Sequence, residues 1–304
     1  AADYWRRLLK EFPNAPQHQR NHWQQRLDQI VGNWGRFENV QVAPAGKGAT
    51  VEFRFRNGQE VEFTAHEINV KKLLDDVKEF LKSNPNQLDW ERVNIGDLGH
   101  RLVQRNEEKY RGPQVAQWKM LLRPRANHFD KRVTVTTPLQ KPGAYLVTAK
   151  MVGGNTSFIV LWVSDTVIAR KPLEGKMLYY VADSVTGKPV PKANVEFFGW
   201  KQVYHDKPPR HEVVTRQFAE FTDANGQLVL GPDRLGSDYQ WLIIVRTDDG
   251  RFAHLGFTGV WYSQRHDAEY KALKAFAITD RPVYRPEQTV KYKFWGRHAR
   301  YDQE

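Results

Sequence analysis

From Trp118 onward the chain is a succession of short runs rich in β-branched and aromatic residues, and this spacing restricts the fold more than any other feature. The runs lie at 133–137, 144–150 and 157–163, then at 176–181, 193–198, 217–221, 227–230, 239–246 and 251–255. Gly, Pro, Asn and Asp punctuate them every eight to twelve residues or so, the rhythm of an all-β sandwich. Gly-Gly-Asn at 153–155 turns one run into the next, and Thr-Asp-Ala-Asn-Gly at 222–226 is expected to lead the 217–221 strand into a return strand at 227–230. The run Tyr-Gln-Trp-Leu-Ile-Ile-Val-Arg at 239–246 reads as the most buried strand.

The first 120 residues follow another pattern. Tyr4, Trp5, Leu8, Leu9 and Phe12 recur at helical spacing until Pro13. A second helix is expected over 16–31, with Trp23, Leu27, Ile30 and Val31 on one face and Gly32 at its end. Val51, Phe53 and Phe55 then alternate with charged residues, Asn57-Gly58 offers a tight turn, and Val61 and Phe63 resume the alternation. This predicts a β-hairpin with one apolar face. Leu73, Leu74, Val77, Phe80 and Leu81 predict a helix ended by Ser-Asn-Pro-Asn at 83–86. A short stretch broken by glycines follows at 88–99, then a charged helix over 100–111. Residues 1–120 therefore read as a helical α+β unit with a small antiparallel sheet.

Composition excludes several chemistries. With no cysteine among 304 residues, the chain has no disulfide, no Cys-zinc site and no Cys nucleophile. No apolar run approaches the ~18 residues of a membrane-spanning helix. The net charge of +11 is spread along the chain without a block of basic residues, which describes a solvated basic surface rather than a nucleic-acid footprint. His18, His22, His66 and His100 are scattered and lack metal-ligand spacing. Asp75-Asp76 and Asp248-Asp249 sit in helix and turn contexts that suit solvation better than acid–base catalysis. Asp223 and Asn225 lack the remaining ligands of a calcium loop, and Gly46-Lys-Gly48 lacks the spacing of a phosphate loop. His205, Asp206 and His211 form the most metal-like group, in what reads as a long, proline-rich exposed loop.

Three motifs in order carry a family resemblance: Thr-Gly-Lys-Pro-Val-Pro-Lys-Ala-Asn-Val at 186–195, Thr-Asp-Ala-Asn-Gly at 222–226, and Thr-Asp-Arg-Pro-Val-Tyr-Arg-Pro at 279–286. Together they resemble the macroglobulin-type β-sandwich domains of bacterial alpha-2-macroglobulins. Pro-Gly-Ala-Tyr-Leu-Val at 142–147 looks like the end of an earlier such domain. The resemblance covers 120–304, and Glu287 stands where the family usually has glycine. It implies macroglobulin-like (immunoglobulin-like) sandwiches. The expected division is a helical α+β unit at 1–120, strands completing the first sandwich at 121–168, a sandwich at 169–274, and the opening strands of a further, truncated domain at 275–304.

The resemblance also implies a non-catalytic role. Alpha-2-macroglobulins are exported proteins that trap proteases: cleavage of a bait segment triggers rearrangement, and many members then capture the protease through a Cys-Gln thioester. Without cysteine this chain cannot hold that thioester. It is expected to be a structural N-terminal fragment, periplasmic or at the cell surface, needing no cofactor. Its expected partners are the other domains of its own full-length chain and, through regions outside this fragment, proteases; neither nucleic acid nor membrane insertion is expected. The alternative is a tandem β-sandwich binding or adhesion module of an exported protein. Trp261, Tyr262 and Arg265, in the 257–273 loop, and Tyr284 in the closing motif are candidate contacts for a neighbouring domain or partner; equally, the loop is a linker packed on its own sandwich.

Overall fold

The computed structural model describes residues 1–38, 42–96, 98–173, 175–262, 273–279 and 289–299. The chain forms two compact units, Ala1–Asp165 with Ser184–Thr186, and Thr166–Asp183 with Gly187–Glu304.

In the first unit, helices α1 (Ala2–Glu11) and α2 (Gln17–Val31) lead into β1 (Trp34–Phe37), β2 (Ala43–Pro44), β3 (Thr50–Arg56) and β4 (Glu60–Ile68). Helices α3 (Val70–Lys82), α4 (Trp90–Val93) and α5 (Leu98–Val103) follow. The chain then returns to strands: β5 (Arg111–Leu121), β6 (Lys131–Thr136), β7 (Gly143–Met151) and β8 (Thr156–Ser164). They form two sheets, β1-β3-β6 and β2-β8-β7-β4-β5.

The core lies between these sheets. Phe53 and Phe55 of β3 meet Phe63 of β4, and all three are at most 1% exposed. Each fully buried ring contributes ~1.5–3 kcal/mol. Gly35 is required by close approach, since a Cβ there would lie 2.4 Å from the Phe53 ring. The α3 stripe is buried as the spacing predicted, with Leu73, Leu74, Val77 and Leu81 inaccessible. The Asn69 side chain caps the start of α3 by accepting from the Lys72 amide.

Two expectations change here. β3 and β4 do not pair: β3 lies between β1 and β6, whereas β4 lies between β5 and β7. At Asn57-Gly58 the chain crosses from one sheet to the other. Alternation looks the same in both cases, because an apolar face buried against a facing sheet has the same period as one shared along a hairpin. The helix expected over 100–111 stops at Val103; Asn106 takes a positive φ of 53°, and Arg111 already opens β5.

The second unit contains β9 (Thr166–Leu173), β10 (Lys176–Asp183), β11 (Asn194–Asp206), β12 (Pro209–Phe221), β13 (Gln227–Leu230), β14 (Gln240–Arg246), β15 (Phe252–Thr258), β16 (Leu273–Thr279) and β17 (Tyr292–His298). Sheets β13-β10-β9 and β12-β11-β14-β15 enclose a core of Tyr179, Phe197, Trp241, Ile243 and Val245. β14 buries five consecutive residues, Trp241 to Val245. As at β3–β4, β12 and β13 belong to different sheets, so the 222–226 turn is a crossover and not a hairpin. Gly226 fits there because its φ is +70° and a Cβ would lie 2.5 Å from the Val181 carbonyl oxygen. β16 and β17 form a separate two-stranded sheet, and every residue of both strands is exposed. The observed architecture is thus a helical α+β region followed by antiparallel β-sandwich structure.

Candidate functional site

Trp261 and Tyr262 follow β15, and their side chains have different environments. Trp261 is 73% exposed. Tyr262 packs against the core of its own unit and donates its hydroxyl to the Leu235 carbonyl at 2.9 Å. Burial pushes the Tyr262 phenol up to about 12. The loop before them is held by Arg170, whose guanidinium donates to the Gly259 carbonyl at 3.0 Å. Arg265 and Tyr284 lie outside the described residues.

The metal-like group is rearranged. Residues 205–211 are not a long loop, because β11 and β12 pair as far as Asp206 and Pro209. His205 pairs with Arg210 and His211 with Tyr204, so the two imidazoles occupy successive cross-strand pairs and point to opposite faces of the ribbon. His205 Nε2 lies 2.7 Å from a Glu212 carboxylate oxygen, and His211 rests against the Tyr204 ring at 5.1 Å. Among the described residues no group of three or more His, Asp or Glu gathers as metal ligands.

Buried charge is used structurally. Arg101 donates from Nε and Nη2 to the Glu107 carboxylate at 3.1 and 2.8 Å, and from Nη1 to the Arg92 carbonyl at 3.1 Å. Its guanidinium sits 5.5 Å from the Tyr110 ring. Tyr110 in turn donates to Asp76, which also accepts from Lys109. The Lys109 hydrogen bond holds the Asp76 carboxyl below the usual carboxylate range. On β15, burial lowers His254 to about 4.

One constellation was not singled out by sequence. The outer face of the β1-β3-β6 sheet carries Trp34, and the guanidinium carbons of Arg36, Arg54 and Arg56 lie 5.8, 5.6 and 5.6 Å from its ring centroid. Arg54 and Arg56 are 3.5–3.7 Å from Glu38 and Asp130, too long for directional hydrogen bonds. Beside them is a cavity of about 510 Å³ lined by Asp28, Gln29, Ile30, Gly32, Asn33, Trp34 and Arg56. Its helical wall is fixed because Arg56 donates to the Gln29 carbonyl, and Asn57 donates to those of Ile30 and Gly32 at 2.8 and 2.9 Å. The signal in the sequence was Trp-x-Arg at 34–36 and Arg-x-Arg at 54–56, interleaved with core residues, but only the strand pairing Trp34 with Arg56 brings them together.

No family model matches the chain. An alpha-2-macroglobulin of Ralstonia nicotianae is 30% identical over 168 residues, which is 52% of this chain and 8% of that protein. The chain thus spans less than a tenth of the length of this curated relative. Among solved structures, a fragment of native Escherichia coli alpha-2-macroglobulin spanning domains MG0-NIE-MG1 aligns with 15% identity and a TM-score of 0.47, covering 75% of this chain and 65% of that one. A shorter fragment of the same protein, spanning NIE-MG1, aligns with 15% identity and a TM-score of 0.45, covering 74% and 97%.

Proposed function

We propose that this chain, a relative of the bacterial alpha-2-macroglobulins, is a non-catalytic structural part of a larger exported protein that inhibits proteases by trapping them. The sequence relationship carries this reading. The β16-β17 hairpin supports its modular side. Leu273, Phe294 and Tyr292 lie on one face, Phe276, Ile278 and Trp295 on the other, and all are exposed. A two-stranded sheet with two bare apolar faces is marginal alone, so the hairpin belongs to a further sandwich of the longer protein. The helical region and first sandwich form the frame, and Trp261 is a contact for a neighbouring domain. Proteases engage a bait segment outside these residues, and the whole resides in the periplasm or at the cell surface. Among the described residues no helix is long and apolar enough to cross a membrane.

The test is to incubate the full-length protein with proteases of several specificities and follow its radius of gyration by small-angle X-ray scattering. Compaction after a single cleavage is expected. Cleavage without compaction for every protease would count against trapping, and turnover of a substrate panel by this chain would overturn the non-catalytic role.

A further inference from the structure

We infer that the cavity beside Trp34 is a binding site for an acidic saccharide. This stands apart from protease trapping and rests only on the first unit. A volume of about 510 Å³ falls within the range of small-ligand sites and suits a short oligosaccharide. Its chemistry is that of a sugar. The Trp34 indole and Ile30 offer apolar surface to the C–H face of a pyranose, while Asp28, Gln29 and Asn33 offer planar polar groups to its hydroxyls.

The charge distribution selects the acidic class. Arg36 is exposed, lies against Trp34, and has no carboxylate partner among the described residues. Arg56 lines the cavity directly. A guanidinium presents paired planar donors that match a carboxylate; Arg36 has them to offer, whereas Arg56 already donates to the Gln29 carbonyl. The Asp28 carboxylate lines the same cavity and, with the Arg56 guanidinium already donating to the Gln29 carbonyl at the end of α2, keeps an anion away from that wall. The ligand is therefore oriented, with hydroxyls toward Asp28 and its carboxylate toward Arg36 beside Trp34.

Isothermal titration of the 304-residue chain with trigalacturonate tests this, with an N-acetylglucosamine trimer as the neutral probe and sodium acetate as the bare carboxylate. Trigalacturonate is expected to bind with Kd below ~1 mM and more weakly as salt rises. Trp34→Ala is expected to weaken it by about tenfold or more, equivalent to ~1.4 kcal/mol. Arg36→Gln, a surface change that leaves the fold intact by circular dichroism, is expected to weaken it several-fold and to flatten the salt dependence. No binding of trigalacturonate up to ~10 mM overturns the site. Equal binding of the neutral trimer or of acetate overturns the acidic-saccharide class, and unchanged affinity in Arg36→Gln overturns the role given to the arginines.

Discussion

Replacing Glu107 by alanine removes the one carboxylate hydrogen-bonded to Arg101 among the described residues; the Arg101 side chain is 3% exposed. The guanidinium keeps its bond to the Arg92 carbonyl and its contact with Tyr110, but it loses a bidentate ion pair. Breaking one side of a buried pair costs ~3–5 kcal/mol, mostly because the remaining charge is stranded. Glu107 is 18% exposed, so solvent enters after truncation and the lower end of that range applies. For a unit of this size each kcal/mol moves the midpoint by ~2–4 °C, so a fall of roughly 6–12 °C is expected in the first unit's transition, with the second unit unmoved. Differential scanning calorimetry resolves this. The double variant Arg101→Met, Glu107→Leu removes both charges and fills the space, and it is expected to recover most of the loss. A fall below ~1 kcal/mol in Glu107→Ala, or a double variant as unstable as the single one, would refute the assignment of a stranded charge.

Three further outcomes follow from the second unit. His254 titrates near 4 when folded against 6.5 when exposed, so the unfolded chain binds its proton first; stability is full above about pH 6.5 and falls as pH drops toward 4. The loss is of order 3 kcal/mol, and urea titrations at several pH values should show it abolished in His254→Phe. Tyr262→Phe leaves the buried Leu235 carbonyl without its partner and should cost ~1 kcal/mol, whereas Trp261→Ala should stay within ~0.5 kcal/mol. Gly226→Ala forces a side chain into a left-handed conformation against the Val181 carbonyl and should cost more than ~1–2 kcal/mol, read from the denaturation midpoint.

Local chemistry was well written in the chain. The alternation of Val51, Phe53 and Phe55 marked which side chains enter the core, and each is at most 3% exposed. The apolar run at 239–246 marked the most buried strand, and Thr-Asp-Ala-Asn-Gly marked a turn at 222–226. The Trp34 cavity was not legible, because its walls come from the end of α2 and two strands that pair out of sequence order. His205 and His211 looked adjacent in sequence but diverge once the ribbon sets their cross-strand partners.

By itself the sequence determined the period, the turns and the apolar face of each element, since these depend on backbone sterics and burial within a few residues. Tertiary structure alone decided which strand pairs with which. At 57–59 and at 222–226 the same alternation and the same Asn-Gly pair serve a crossover between sheets instead of a hairpin within one. The choice depends on what covers the apolar face, and in this chain the cover is a facing sheet assembled from near and distant strands: Phe53 opposite Phe63 and Met151 in one unit, Tyr179 opposite Phe197 and Trp241 in the other.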